Sequence, residues 1–296
     1  MRYDTIILGG GLSALVCGIS LQEKGLKCLI VSSGQSALHF FSGSFELIST
    51  CGSQREAMDN LPDGHLYRKI GLDRVMELSK IVPEFFGRAG YSLSGEYDRN
   101  HVETTILGRE KRVWLTVGSE GAPPVRGRLP ISPLGVKMQM DLRKRFETLG
   151  GDYLMGDRAV RGEFREGRLS SIFTENHGSS PFAADKFVMA TGSFFSKGLV
   201  STPSGICEPV LHLDVDFCPD REEWYGMGFF DNQPYMRFGA ACTDRLEAVR
   251  EGKTLPNVYV AGSLIGGADP IKEGCGAGVA IISALYVAGQ ILEESL

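Results

Sequence analysis

The sequence has 296 residues, which allows one large domain or two closely linked domains with an ample core. Its hydrophobic content of 43% and charged content of 23% are those of an ordinary soluble globular protein. A formal net charge of −5, with no run of Lys or Arg, excludes a general nucleic-acid-binding protein.

Cysteine usage and the N-terminus indicate the compartment. The seven cysteines are scattered and include no C-x-x-C pair, so we expect reduced thiols and neither a zinc site nor an iron–sulfur cluster. The N-terminal "MRYD" enters a strand without the basic segment of a signal peptide. The longest apolar segment, "GAGVAIISALYVAGQIL", is short for a membrane span and predicts a buried helix. We therefore expect a soluble, cytoplasmic protein without metal.

The first fifty residues predict a β–α–β unit. "DTIILG" is a short β-rich run, residues 12–24 show helical spacing of apolar side chains, and "KCLIVSS" is a second buried strand. Such a unit within about 30 residues builds a parallel sheet flanked by helices. The α/β pattern returns after Val136 with an amphipathic helix, short antiparallel strands, the buried strands "ADKFVMATG" and "LPNVYVAGS", and a final helix opened by glycines.

The segment between these two parts differs in character. Residues 71–90 predict a helix, two hairpin strands follow between 102 and 118, and a Pro/Gly-rich stretch comes next. We expect a sheet domain formed by residues 1–55 and 136–296, with a small α+β cap or substrate domain at 56–135 inserted into it.

The turn after the first strand fits the dinucleotide-binding pattern G-x-G-x-x-G/A. Gly9 permits a tight turn, Gly11 lets the backbone approach a phosphate, and Ala14 allows close helix–strand packing. The helix N-terminus at Leu12 and Ser13 offers N–H donors and positive potential. A merely structural glycine turn is the alternative, which the position after a buried strand disfavours.

The acidic residue that usually accompanies this turn is missing. An Asp or Glu about 20 residues on normally binds the adenosine ribose, yet Ser32 stands 23 residues after Gly9. No Asp or Glu occurs from Lys27 through Phe45. The loop therefore predicts a bound phosphate without the usual ribose ligand.

Two later segments resemble flavoprotein motifs. A buried strand ends in Ala190-Thr191-Gly192, where such proteins turn beside the cofactor. The last strand ends in Gly262-Ser263, with Ser in place of the usual Asp, and a helix begins within Gly274–Gly278. That helix N-terminus would face the flavin pyrimidine edge, where reduction places negative charge. We therefore expect a Rossmann-like FAD/NAD(P)-binding flavoprotein domain, with Gly274, Gly276, Ala277 and Gly278 beside the ring.

Three segments, "GQSALHFFSGSFELIS", "GICEPVLHLDV" and "VAGSLIGGADPIKEGCGAGVA", closely resemble the B subunit of anaerobic glycerol-3-phosphate dehydrogenase. The resemblance covers the first fifty residues and roughly 187–292. It implies a flavoprotein subunit with FMN, next to a catalytic FAD-bearing subunit and a membrane-associated iron–sulfur subunit. It further implies oxidation of sn-glycerol 3-phosphate to dihydroxyacetone phosphate and a peripheral position on the inner membrane through a partner.

FMN would account for the missing acid, because it has no adenosine ribose. Ser32, Ser33 and Ser36 could then meet a terminal phosphate, and the matched segment adds Gln35, Ser42 and Gly43 to the expected flavin contacts. FAD is the alternative, since a loop of this kind suits a pyrophosphate. Members of the family are longer than this chain, and we expect the missing length between about 51 and 185.

Three side chains are candidates for chemistry. His39 could relay a proton to flavin, Arg237 could bind a phosphate-bearing substrate bidentately, and Lys272 could neutralise a phosphate or a reduced flavin. Ordinary structural roles are the alternative for each, and packing is favoured over redox chemistry for Cys275. The rival functions are a stand-alone FAD oxidoreductase acting on another small substrate and a non-catalytic scaffold with a vestigial flavin site.

Overall fold

The structure is a computed structural model and describes residues 2–105, 108–118, 131–228 and 230–295. The strands are β1 (Arg2–Leu8), β2 (Cys28–Ser32), β3 (Ser44–Phe45), β4 (Leu93–Ser94), β5 (His101–Thr104), β6 (Glu110–Val113), β7 (Leu115–Val117), β8 (Asp152–Met155), β9 (Ala159–Arg165), β10 (Arg168–Thr174), β11 (Phe182–Met189), β12 (Val200–Thr202), β13 (Gly205–Cys207), β14 (Val215–Asp216), β15 (Gly239–Ala240), β16 (Glu247–Arg250) and β17 (Lys253–Val260). The α-helices are α1 (Leu12–Gln22), α2 (Gln54–Asp59), α3 (Leu66–Ile70), α4 (Leu72–Arg88), α5 (Pro133–Thr148) and α6 (Gly276–Ser295). Short 3-10 helices occupy Ala37–Phe40, Phe194–Ser196, Arg221–Glu223, Pro234–Arg237 and Gly262–Leu264.

An eight-stranded sheet organises the chain. Its strands follow the order β16-β17-β11-β1-β2-β8, and the β9–β10 hairpin joins it through β11. β1 lies at the centre and pairs in parallel with β11 and β2, so that Ile6 stands beside Phe187 and Leu29. The β2–β8 and β11–β17 pairs are also parallel. The predicted α/β class with a parallel sheet is confirmed.

The central strands are apolar on both faces because both faces are covered. Ile6, Ile7 and Leu8 of β1 are almost completely buried, as is every residue of β2. Helix α1 packs against both α5 and α6. Helix α6 is long and apolar enough to cross a membrane by length and composition alone, but 61% of its most apolar window is buried in the fold, as expected of a core helix.

The middle of the chain forms helices and small antiparallel sheets. Helix α4 coincides with the predicted helix, β5 pairs with β6, and β3, β7 and β4 form a second small sheet. One hydrophobic core runs from here into the main sheet, and the rings of Phe45 and Phe86 lie 4.9 Å apart. The domain boundaries at 55 and 135 stay a prediction, and most of the Pro/Gly-rich stretch lies at 119–130, outside the described residues.

Asn257 bridges the sheet at a buried position, and its loss tests the fold. Its amide accepts a hydrogen bond from Leu169 N (3.1 Å) and donates to Leu169 O (2.8 Å) and Asp185 O (3.1 Å). We expect Asn257→Ala to lower the free energy of unfolding by about 2 to 4 kcal/mol, because buried backbone groups lose their partners. Urea denaturation measures the change. Thr254→Ala, at an exposed position of the same strand, should stay within about 0.5 kcal/mol of the wild type, and equal effects of the two changes would contradict this role for Asn257.

Candidate functional site

A cavity of about 920 Å³ opens at the carboxyl ends of the parallel strands. Its wall is formed by the β1–α1 turn, the residues after β2, β8 and β11, and the N-terminus of α6. Ligands of open α/β sheets bind at this edge, and the volume lies at the upper end of the range for cofactor pockets. The cavity is thus where a large cofactor would be expected.

Three successive glycines at the β1–α1 turn serve different purposes. Gly9 has a φ of +120°, and a Cβ there would lie 2.1 Å from Ala190 O. A Cβ at Gly10 would lie 2.1 Å from Ser32 Oγ. Packing of the protein itself therefore requires glycine at both positions. Gly11 differs, because the nearest atom to a Cβ there is 3.8 Å away, and the residue faces the cavity.

The N-terminus of α1 meets the cavity at Gly11, Leu12 and Ser13. No side chain caps this helix, and its first turn contains no acidic residue. Its N–H groups and positive dipole end are therefore directed at a space where a phosphate would fit. The open position at Gly11 is what such a group needs for close approach.

Ser32 fills the place of the missing acid and is almost fully buried at the end of β2. Its hydroxyl donates to Gly34 O (3.2 Å). Ser36 donates to Gln139 Oε1 (2.8 Å), and Gln139 Nε2 donates to Gly10 O (3.3 Å). The hydroxyl protons of Ser32 and Ser36 thus brace the turn within the protein, whereas Ser33 is exposed at the cavity.

The cavity continues beyond the glycine turn to Asp157, Arg158, Ala159 and Val160. These residues were not predicted. Burial acts to raise the pKa of Asp157, but hydrogen bonds from Thr174, His177 and backbone N–H groups outweigh it and hold that pKa below its usual value. The sequence signal that could have found these residues is "GDYLMGD". Because this segment forms a strand that pairs in parallel with β2, the loop after it lies at the same edge of the sheet as the loop after β2.

The turn after β11 supplies another wall. Ala190, Thr191 and Gly192 line the cavity, as does Ser263 after β17. The Thr191 hydroxyl oxygen is buried and has no hydrogen-bond partner among the described residues. A buried polar atom of this kind normally has a partner, so a polar group of a ligand fits here.

The structure brings most of the predicted cofactor contacts together around one space. Their contact with a cofactor stays a prediction. Those on the cavity wall are Gly9, Gly11, Leu12, Ser13, Ser32, Ser33, Gln35, Ser36, Ala190, Thr191, Gly192, Ser263, Gly276 and Ala277. Those off the wall are Ala14, Ser42, Gly43, Gly262, Gly274 and Gly278. Among the latter, Gly262, Gly274 and Gly278 lie close to Ser13, Ser49 and Tyr67, so they serve close packing.

None of the three side chains proposed for chemistry lies on the cavity wall. Arg237 donates to Gly267 O (2.6 Å) and Glu273 Oε1 (2.7 Å). Lys272 Nζ donates to Asn232 Oδ1 (2.9 Å) at the surface. His39 Nδ1 is buried without a hydrogen-bond partner among the described residues. Arg237 thus serves the ion pair that was its alternative interpretation.

A buried cluster of His65, Glu273 and Cys275 lies behind the start of α6, with ligand atoms within 4.8 Å of one another. His65 Nδ1 accepts a hydrogen bond from Tyr67 N (3.1 Å), so Nε2 carries the proton and lies 3.3 Å from Glu273 Oε2. His65 therefore has no free lone pair for a metal ion in this arrangement. The cluster is a hydrogen-bonded anchor.

The charges of this anchor are well defined. Burial acts to raise the pKa of Glu273, but hydrogen bonds from His65, Asp269 N and Arg237 outweigh it and lower that pKa to about 2. Burial and the neighbouring carboxylate raise the pKa of the Cys275 thiol well above its usual value. The thiol is therefore protonated and unreactive, in agreement with a packing role. The anchor fixes the turn that brings the α6 N-terminus, at Gly276 and Ala277, to the cavity.

Comparison with known proteins identifies the family. The sequence profile of the FAD binding domain matches residues 4–130 and 127–279. The B subunit of anaerobic glycerol-3-phosphate dehydrogenase from Yersinia enterocolitica is 30% identical over 417 aligned positions, which cover 99% of this chain and 98% of the relative. The Pectobacterium carotovorum protein of the same name is 31% identical, with 99% of both chains covered. The chain belongs to this family of dehydrogenase subunits.

Solved structures share the fold at low sequence identity. Quinol fumarate reductase of E. coli superposes with a TM-score of 0.60 at 11% identity, covering all of this chain and 70% of that one. A flavocytochrome c3 fumarate reductase gives 0.56 at 10% identity, covering 100% and 79%. The predicted flavoprotein fold is confirmed, and the chain is a flavoprotein. The expectation of FMN as the first choice finds no support in a profile that is named for FAD.

The chain is also shorter than its relatives. Because it has 296 residues, at least 121 of the 417 aligned positions have no counterpart in it. The relatives thus carry additional chain, as the resemblance implied. The position of the missing length between 51 and 185 stays a prediction.

The open position at Gly11 predicts a loss of flavin binding without a loss of fold. We expect Gly11→Ala to weaken flavin affinity by about tenfold or more, because the added methyl group enters the space of the phosphate. Its effect on apoprotein stability should stay within about 1 kcal/mol. Flavin fluorescence titration and urea denaturation measure the two quantities. Gly10→Ala is the matched control and should destabilise the apoprotein, since its Cβ would meet Ser32; a Gly11→Ala protein with wild-type flavin affinity would contradict this role for Gly11.

The Glu273 anchor predicts a defined pH dependence. Because the folded pKa of about 2 lies below the usual 4.5, the anchor's contribution is complete above about pH 5 and is lost as the pH falls toward 2. We expect the wild type to lose about 3 kcal/mol more of its unfolding free energy over this interval than Glu273→Gln. Denaturant titrations at each pH give these values. Glu56→Gln, at an exposed position, should keep the wild-type slope, and an unchanged slope in Glu273→Gln would rule out the anchor.

Proposed function

We propose that this chain holds FAD as an electron-transferring subunit of a complex that oxidises sn-glycerol 3-phosphate to dihydroxyacetone phosphate. One observation carries the proposal. A single cavity joins the glycine turn at Gly11 to the α6 N-terminus on one side and to the loop at Asp157–Val160 on the other. Membership of the family indicates which enzyme the chain would serve.

The extent of the cavity supports FAD over FMN. A terminal phosphate would need only the glycine turn and the hydroxyl groups near it, yet the space continues between Ser33–Gln35 and Arg158. That part of the cavity suits an adenosine. Ser33 and Gln35 would offer hydroxyl and amide groups where related sites use a carboxylate. Arg158, which is paired with Glu175, lies next to Asp157 on the same wall. FAD would thus be held without the usual acid.

The residues of the chain have distinct roles toward this cofactor. The α1 N-terminus would hold the pyrophosphate through its N–H groups, and Thr191 would offer its unpaired hydroxyl. The α6 N-terminus would stabilise negative charge at the pyrimidine edge of the ring. The flavin, when bound, supplies the ability to accept two electrons and release them singly.

Electron relay is favoured over substrate oxidation in this subunit. Arg237 is committed to Glu273, and Lys272 is held at the surface by Asn232. Neither of these two predicted ligands of a phosphate-bearing substrate lies on the cavity wall, where the cations are Arg158 and Lys197. We infer that a catalytic FAD-bearing partner oxidises the substrate and that an iron–sulfur partner carries electrons to quinone. The complex would lie on the cytoplasmic side of the inner membrane through that partner.

Two measurements on the purified chain test this function. We expect a yellow protein whose released flavin has the mass of FAD. The flavin should be reducible by dithionite, yet the isolated chain should not oxidise glycerol 3-phosphate with an artificial acceptor, because the substrate site is assigned to a partner. The assembled complex, assayed with the same acceptor, is the positive control.

The contrary outcomes are distinct. FMN would contradict the proposed cofactor. Turnover of glycerol 3-phosphate by the isolated chain would replace the relay with substrate oxidation in this subunit, and turnover of only another small substrate would indicate a stand-alone oxidoreductase. A colourless protein that takes up no flavin on reconstitution would leave a scaffold role.

A further inference from the structure

The large apolar side chains of the described residues are not exposed at random. The four most exposed are Phe230 (93%), Met227 (92%), Phe195 (74%) and Ile271 (73%). Phe195 and Ile271 lie on the wall of the cavity described above. Met227 and Phe230 lie on a loop whose Asn232 accepts a hydrogen bond from Lys272, the neighbour of Ile271. Together with two aromatic neighbours they form what we call the mouth surface: Phe40, Phe195, Tyr225, Met227, Phe230 and Ile271.

The mouth surface is continuous with the cavity. Phe195 and Ile271 line the cavity itself. The rings of Phe40 and Phe195 meet edge to face at 5.8 Å, and both are at least half exposed. Phe194 contacts Tyr235 at 6.2 Å, which connects the loop between Tyr225 and Tyr235 to the same rim. Exposed contiguous apolar surface of this kind marks an interaction site.

The loop that carries Met227 and Phe230 is held by its polar side chains. Gly228 N donates to Asp231 Oδ2 (2.6 Å). Gln233 Nε2 donates to Gly226 O (3.3 Å) and Gly228 O (3.0 Å). Polar groups thus organise the interior of the loop while large apolar groups face outward. This reverses the usual arrangement and indicates a surface shaped to be covered.

We propose that the mouth surface is the docking site for a redox subunit of the same enzyme, which exchanges electrons with the flavin at the cavity mouth. The inference rests on the proposed function. The family name describes one subunit of a larger enzyme, and electron transfer requires a partner close to the flavin. The surface lies where such a partner would also exclude water from the cavity.

The rim of the mouth surface carries charges of both signs. Four exposed carboxylates, Asp220, Glu222, Glu223 and Asp231, flank Tyr225 and Phe230 in the sequence, and the exposed cations Arg221, Lys197 and Lys272 lie among them or next to Phe195 and Ile271. An apolar centre with a polar rim is the usual anatomy of a protein–protein interface, whereas surfaces that bind anionic lipids carry clusters of Lys and Arg. A protein partner with an apolar centre and a rim of complementary charges would cover this surface.

Charge reversal at the centre of the surface tests the proposal. The double variant Met227→Asp/Phe230→Asp would be co-expressed with the other subunits, and a tag on this chain would recover the complex. We expect co-purified subunits to fall about tenfold or more, with flavin content per chain and melting temperature unchanged. Met140→Asp is the matched control, because Met140 is 64% exposed on α5 away from the cavity wall.

The outcomes separate the two proposals. Wild-type assembly in the flavin-loaded double variant would overturn the docking proposal, as would an equal loss of assembly in Met140→Asp. Loss of binding to phosphatidylglycerol vesicles in the double variant, with assembly unchanged, would assign the surface to a membrane instead. A wild-type chain without flavin would contradict the proposed function by itself. If the double variant does not fold, Met227→Ser, which adds no charge, should still lower recovery, and unchanged recovery would overturn the proposal.

Discussion

The contact between Gly9 and the end of β11 is the constraint on which the site depends. The two central strands converge so closely there that a Cβ at Gly9 would lie 2.1 Å from Ala190 O. Gly10 permits a similar approach to Ser32 of β2. With three strand ends drawn together, the chain must turn sharply into α1, and the N-terminus of that helix is left facing an open space. The cavity is a consequence of this convergence.

The opposite wall depends on a buried charge. Glu273 would be costly to bury alone, but Arg237 and the backbone N–H of Asp269 donate hydrogen bonds to it, and His65 Nε2 lies 3.3 Å from its Oε2. Because the turn before α6 is fixed by these bonds, the helix N-terminus reaches the cavity in one position. The same bonds commit Arg237 to the protein, so a residue type that often binds phosphate has a structural role here.

Serine takes the place of the missing acid after β2. Ser32 is buried beside Gly10, and its hydroxyl bonds to Gly34 O. The cavity beyond is lined by Ser33 and Gln35 and by Asp157 and Arg158 of the loop after β8. Arg158 is paired with Glu175. A cofactor with an adenosine would therefore meet hydroxyl and amide groups together with charges of both signs.

Much of the fold could be predicted because its signals are local. Each signal depends only on a few residues that are adjacent in the sequence. The signals are the apolar runs at β1 and β2, the glycines between β1 and α1, and the glycines at the start of α6. Most of the cofactor contacts that these signals predicted lie on the cavity wall. The loop at Asp157–Val160 was missed because it joins the site only through the parallel pairing of β8 with β2. That pairing links residues more than a hundred positions apart.

By itself, the sequence determined the parallel α/β fold, the flavoprotein class and the family, since these depend on short patterns and on matched segments. Only the tertiary structure decided which polar side chains face the cavity. Arg237, Lys272 and His39 had the right chemistry, but their partners Glu273 and Asn232, and the buried setting of His39, come from distant parts of the chain. The exposure of Met227 and Phe230 could likewise not be predicted, because the sequence does not show whether an apolar side chain is buried or exposed in the folded chain.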